Sequence, residues 1–381
     1  MKKALIVTTV SGFVPQFEMN NVRILQRLGY EVHYASNFRT PVYGKDNRRL
    51  DGSGVVRHQV DFVRSPFRVW ENVRAYGQLK RLAEDENFSL VHCHTPLGGV
   101  LGRLAFRNTS AKIIYTAHGF HFYQGAPILN WLIYYPVEKY LAKFTDVIIT
   151  INQEDYKRAK GFQILKKGKV KHINGVGIDL QKIESVPASS RNEFGIPDNA
   201  LLLISVGELN RNKNQKMVIQ ALNLMKSSEV ISHPIWYLVC GKGKYQKKLE
   251  HMVEKYRIKD KVIFAGYRAD VIGLMKMSDL YVMTSYREGL PVSMLEAMAC
   301  GLPVIATDIR GIRELIVQGQ GGYLIQPGDE KGLAIQLERT INKLEKEPFG
   351  NFNKVRCKEF DSKKVEQQME KIYRKVIEKD G

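Results

Sequence analysis

The chain has 381 residues, long for one hydrophobic core and comfortable for two. Its 44% hydrophobic and 10% aromatic content describes a soluble globular protein, and its longest apolar runs are too short to span a bilayer. The formal charge of +19 favours anionic partners, and +12 of it falls in residues 1–180, where 26 basic groups face 14 acidic ones. No aromatic-rich strand motif or zinc-finger spacing accompanies that charge, so a nucleic-acid-binding protein is disfavoured.

Met1-Lys2-Lys3 leads straight into a short strand-like run, Ala4–Thr9, ended by Ser11-Gly12 without a cleavage site, which places the chain in the cytoplasm. A helical pattern over Asn20–Leu28 follows, then β-rich runs at Glu31–Ala35, Leu90–Cys93, Lys112–Thr116, Val147–Thr150 and Val170–Ile173. This alternation predicts a parallel, doubly wound sheet. A polar, proline-containing break near 185–200 marks the linker. The pattern then restarts at Leu201–Val206, Trp236–Cys240, Val262–Ala265, Leu280–Met283, Val304–Thr307 and Gly322–Ile325. From Asp361 to Lys379, apolar Val365, Met369, Ile372, Tyr373 and Val376 recur at helical spacing. Cys93, Cys240, Cys300 and Cys357 are scattered, without Cys-x-x-Cys pairing, and read as free thiols.

Several stretches carry chemistry. Gly12 follows the first strand, where a glycine lets the backbone approach a phosphate, although the full dinucleotide glycine pattern is missing and a plain turn explains it equally. Glu208-Leu209-Asn210-Arg211-Asn212-Lys213 follows the first strand of the second half; Lys213 is placed to neutralise a diphosphate and Arg211 to add a forked contact. Gly241 lies at a second glycine-containing strand exit. His92 and His94 share one strand face, but with no carboxylate or cysteine partner in sight no metal site is expected. In the stretch Glu288 to Pro303, Gly289 frees a turn, Pro291 suits a helix start, and Gly301 and Pro303 end that helix. Glu288 falls in the loop and Glu296 in the helix, one carboxylate for a reacting group and one for a diol. The segment from Phe120 to Lys143, with Arg64–Trp70, interleaves aromatic and basic residues as a surface resting on an anionic membrane does, and ordinary core packing yields many of the same aromatics.

Glu288-Gly289-Leu290-Pro291 with Glu296 eight positions after Glu288 resembles the signature of the family 4 retaining glycosyltransferases. The resemblance extends over the glycine turn at Gly12, the His118-Gly119 pair, Asn174-Gly175-Val176 and Lys213, and in wording is closest to bacterial capsule and exopolysaccharide transferases. It implies a GT-B fold of the α/β class, two Rossmann-like domains facing a cleft: residues 1–185 binding acceptor, 186–360 binding donor, and a helix in 361–381 returning to the first domain. It also implies a metal-independent transfer from a nucleotide diphosphate sugar, a UDP-sugar, with no separate cofactor, to a saccharide on a polyprenyl diphosphate at the inner face of the membrane. By the same resemblance Glu296 clamps the ribose hydroxyls, and the amides of Gly289 and Leu290 meet sugar or diphosphate. The loop of Gly241 lies near the phosphates, His118 near the transferred sugar, and Glu288 positions the donor sugar. Where the family usually has Arg this chain has Glu208, which leaves Arg211 or backbone amides to supply the missing charge. A GT-B epimerase or hydrolase shares the donor site and is the competing reading.

Overall fold

The computed structural model describes residues 1–42, 47–162, 168–226, 233–344 and 348–378. The chain forms two compact units, Met1–Val176 with Lys363–Gly381, and Gly177–Ser362.

The first unit holds a parallel seven-stranded sheet: β1 (Lys2–Val10), β2 (Tyr30–Asn37), β3 (Val56–Gln59), β4 (Phe88–His94), β5 (Lys112–Ala117), β6 (Val147–Thr150) and β7 (Lys169–His172), in the order β3-β2-β1-β4-β5-β6-β7. Chain order reverses between β1 and β4, whose register sets Ile6 beside His92 and Val7 beside Cys93. The inner strands are apolar on both faces because helices cover both. β3 escapes the sequence reading: Val56-Arg57-His58-Gln59 is a polar edge strand with only intermediate to full exposure. The C-terminal helix, Ser362–Ile377, buries Val365, Met369, Ile372, Tyr373 and Val376 in this unit, and Tyr373 Oη lies 2.7 Å from His92 Nδ1. Lys379, to which the sequence pattern extends the helix, lies outside the described residues.

The second unit holds a parallel six-stranded sheet: β8 (Leu201–Val206), β9 (Ile235–Cys240), β10 (Val262–Gly266), β11 (Leu280–Met283), β12 (Val304–Thr307) and β13 (Gly322–Ile325), in the order β10-β9-β8-β11-β12-β13. Here the order reverses between β8 and β11. Both sheets are doubly wound and Rossmann-like, as the alternation predicts. The change of unit falls at Val176/Gly177 and not at the polar break near 185–200. Ile178 and Ile183 already belong to the second core, and the Ile178 amide donates to the Phe360 carbonyl. Apolar anchors outweigh the proline and serine composition that marked the linker. Cys93, Cys240 and Cys357 are buried and Cys300 partly so, all as free thiols.

A buried ion pair ties the first unit together. Arg103, fully buried in the helix Pro96–Phe106, donates to Glu138 Oε2 at 2.7 Å and to the Gly99 carbonyl at 2.8 Å, and its guanidinium sits 3.9 Å from the centre of the Tyr115 ring. Removing one partner strands the other charge out of water. Glu138→Ala is therefore expected to destabilise the first unit by about 3–5 kcal/mol in denaturant unfolding, and Glu138→Gln by less, since the amide oxygen still accepts.

Candidate active site

In the second unit the switch between β8 and β11 brings two loops together, at the strand ends where open α/β sheets hold ligands. The β8 loop is shaped by asparagines. Asn210 Oδ1 accepts from the Lys213 amide at 2.9 Å, and Asn214 takes a left-handed conformation, φ +51°, before the helix Gln215–Met225. Three bonds knit this loop to the one after β11: the Tyr286 amide donates to the Asn212 carbonyl (2.8 Å), Asn212 Nδ2 to the Arg287 carbonyl (2.9 Å), and Thr284 Oγ1 to the Asn214 carbonyl (2.8 Å). The outcome is an ion pair of 2.8 Å between Lys213 Nζ and Glu288 Oε1, both side chains largely covered. The sequence nominated both residues but not their contact.

Pro291 precedes the helix Val292–Ala299 and Gly301 follows it, φ +89°, as read from the sequence. Glu296, on that helix, is partly buried, and burial pushes its carboxyl up to about 7 against the opposing pull of Lys182. The carbonyl of Gly289 is approached so closely by Gly311, φ +79°, that a Cβ there would lie 1.9 Å from it. Leu290 packs against the core of this unit. Arg310, 5% exposed in the loop after β12, points Nε and Nη2 at the Glu288 carbonyl, each at 3.4 Å. Sequence reasoning missed Arg310, since nothing within its own segment marks it as a partner of Glu288, 22 residues earlier. Arg211 and Glu208 are both exposed on the β8 loop.

Gly241 has a packing reason in addition to the one read from sequence. A Cβ there would sit 1.9 Å from the Gly207 carbonyl, so the β8 and β9 exits are in backbone contact. Gly241→Ala should separate the two loops and destabilise the second unit by about 2–3 kcal/mol, checked by a thermal melt. Gly12 is similar: its Cβ would overlap the Val42 carbonyl at 1.5 Å, so the chain's own backbone makes the close approach at that glycine.

In the first unit a second group forms at the switch between β1 and β4. A single π-helical turn, Val14–Glu18, links β1 to the helix Met19–Arg27 and carries Glu18 inward. His94 ends β4 and His118 follows β5. His94 Nδ1 and His118 Nε2 are 3.1 Å apart, and Glu18 Oε1 is 3.5 Å from the first and 3.4 Å from the second. Glu18 Oε2 accepts from Asn21 Nδ2 at 2.5 Å. Burial raises the Glu18 carboxyl to about 8, lowers His118 to about 4, and holds His94 well below the ordinary imidazole value, so both rings are neutral at pH 7. His92 is engaged elsewhere, with Tyr373 and Thr116, at 2.7 and 2.8 Å. The expectation of no carboxylate beside the strand histidines thus fails for His94. Glu18 is 76 residues away in the chain and no local spacing connects the two.

The aromatic segment divides. Phe120 and Phe122 are core, and Trp131, Tyr134 and Tyr135 pack against it while staying partly exposed. Exposed apolar side chains include Phe67, Val69, Trp70 and Val73 near the start of the helix Val69–Asp85, and Ile128, Leu129 and Leu132 at the start of the helix Ile128–Leu141. Those helices follow β3 and β5, so both clusters lie toward the strand ends that carry His94 and His118. No helix among the described residues is long and apolar enough to cross a membrane.

Known proteins share this plan. The family described as Glycosyltransferase Family 4 matches residues 19–182, and that described as Glycosyl transferases group 1 matches residues 188–354. The protein named "Putative glycosyltransferase EpsD" of Bacillus subtilis (strain 168) is 37% identical over 100% of this chain and 98% of its own length. The UDP-Gal:alpha-D-GlcNAc-diphosphoundecaprenol alpha-1,3-galactosyltransferase of Escherichia coli is 27% identical over 71% of each chain. Among solved structures, Anabaena HepE in complex with UDP-glucose superposes with a TM-score of 0.77 at 20% identity, over 98% of this chain and 100% of that one, a likeness of fold.

Proposed function

The chain belongs to the family 4 glycosyltransferases of the capsule and exopolysaccharide kind, and from that premise we propose that it moves a hexose or N-acetylhexosamine from a UDP-sugar to a saccharide carried on a polyprenyl diphosphate, with retention at the anomeric carbon. The observation that carries the donor half is the 2.8 Å pair of Lys213 and Glu288 at the switch of the second sheet. A cation held there by a partly covered carboxylate is oriented before substrate arrives, and stabilises charge that grows on the leaving diphosphate without solvent reorganisation. In this reading Lys213 and the amides of Gly289 and Leu290 do the work that a divalent metal does in other transferases, and the reaction needs no metal. Glu296 accepts hydrogen bonds from the ribose hydroxyls. Glu288 fixes Lys213 and faces the donor sugar, with Arg310 at its backbone carbonyl. The acceptor oxygen bonds to the anomeric carbon on the face that the diphosphate leaves, and its proton goes to a diphosphate oxygen. His118, neutral and partly exposed, keeps the role the family resemblance gives it, near the transferred sugar.

The acceptor half rests on the first unit. Its basic excess and the exposed Phe67, Trp70, Ile128 and Leu132 suit an anionic membrane surface at the inner face, where a lipid-linked acceptor is presented. Phosphatidylglycerol vesicles should sediment the protein at low salt, and the double change Phe67→Ser with Trp70→Ser should release most of it. Equal sedimentation of both would remove the membrane contact.

The deciding assay measures UDP release from a panel of UDP-hexoses and UDP-N-acetylhexosamines, with and without a lipid-diphosphate saccharide, in the presence of a chelator. Release that depends on the acceptor supports transfer; free sugar or epimer without acceptor supports the hydrolase or epimerase reading; no release with any donor refutes both.

A further inference from the structure

The Glu18, His94 and His118 group has a geometry that its hydrogen bond between His94 Nδ1 and His118 Nε2 accounts for on one side only. The two carboxylate-to-imidazole separations, 3.4 and 3.5 Å, are longer than a good charge-assisted bond, while the three ligand atoms stand at the corners of a near-equilateral triangle with sides of 3.1, 3.4 and 3.5 Å. Bonds of about 2.0–2.1 Å from a tetrahedral zinc ion set neighbouring ligand atoms roughly 3.3–3.4 Å apart. The triangle matches one face of that tetrahedron. Two imidazoles and one carboxylate are also a donor set that selects zinc-class cations over magnesium or calcium.

The three ligands come from separate elements. His94 ends a central strand, His118 follows its neighbour, and Glu18 projects from the π-helical turn with its second oxygen held by Asn21 Nδ2. Such fixing of a ligand's far atom is what preserves metal geometry in the free protein. Glu18 and His118 also line a small pocket of about 20 Å³, room for roughly one water, with Asn20, Thr116 and Glu366 among its walls. A fourth position is thereby left for water or a small anion.

We propose that Glu18, His94 and His118 form a binding site for a divalent cation of the zinc class, with three protein ligands and one open position, and that filling it switches transfer off by taking His118 from the sugar. The second half rests on the transferase reading above; the binding site does not.

The test uses the full chain stripped with a chelator and titrated with zinc chloride, or with cobalt(II) for its visible absorption. Wild type should take up one equivalent of zinc at this site, ignore magnesium, and give the intense bands of tetrahedral cobalt with histidine ligation. His94→Gln and Glu18→Gln should each weaken that uptake by about a hundredfold or more while melting as cooperatively as wild type. Zinc uptake equal in wild type and both folded variants, or an octahedral cobalt spectrum, overturns the site. In the UDP-release assay, saturating zinc should abolish turnover and excess chelator restore it. Zinc bound with undiminished turnover overturns the switch, whereas absence of turnover in the chelated protein overturns the transferase reading and leaves the binding result standing.

Discussion

Lys213→Ala is expected to lower turnover by about 10²–10³-fold, with a much smaller change in the KM for donor, because its cation acts on charge that develops only as the diphosphate departs. Glu288→Ala should fall in the same range by a different route. It leaves Lys213 Nζ without the carboxylate 2.8 Å away that orients it. The two losses should not multiply. Residues in direct contact couple, so the double variant should be little worse than the poorer single one. Steady-state kinetics on the four proteins measure this; a double variant equal to the product of the singles would mean that the pair acts as two independent groups, and wild-type kinetics in either single would remove it from the site.

Glu296→Ala should weaken UDP binding by about 2–3 kcal/mol, roughly 30- to 150-fold in Kd, as two hydrogen bonds to a charged acceptor are lost, with turnover at saturating donor less affected. The pH dependence gives an independent signature. Burial raises the Glu296 carboxyl to about 7 in the free protein, while the ribose hydroxyls need its ionised form. UDP affinity should therefore fall by about tenfold between pH 8 and pH 6, and Glu296→Gln should flatten that dependence. Stability moves the opposite way. A carboxyl whose folded pKa is raised binds its proton more tightly in the native state, so its contribution is fully present below the ordinary glutamate range and is lost as pH rises through about 7. Glu296→Gln should thus melt higher than wild type at pH 8 while binding UDP less well. Calorimetry of both proteins at pH 6 and 8 checks the two signs together; an unchanged pH profile in the Gln variant would assign the titration to another group.

Much of the architecture is legible along the chain because parallel strands covered on both faces must be apolar runs, and helices between them must carry a 3.6-residue stripe. Twelve of the thirteen strands in the described residues follow from those two patterns, and β3 does not, because an edge strand of Val-Arg-His-Gln has no buried run to show. The change of unit precedes the polar break for a related reason. Proline and serine after residue 185 look like a linker, but Ile178 and Ile183 anchor that segment in the second core before the break begins.

By itself the sequence determined the two Rossmann-like sheets, the bounded helix Val292–Ala299 behind Glu288, the free cysteines, and the candidacy of Lys213, Glu288, Glu296 and His118. Each of these rests on local chemistry: turn residues, helix ends, apolar period, or a motif within a few positions. The tertiary structure alone decided what touches what. Reversal of strand order between β8 and β11 set Lys213 against Glu288 across 75 residues, the pairing of β12 with β11 brought Arg310 to the Glu288 carbonyl, and reversal between β1 and β4 brought Glu18 to His94 and His118. Strand order is fixed by packing over the whole sheet, so contacts made at a switch point are not encoded at the spacing of the residues that make them.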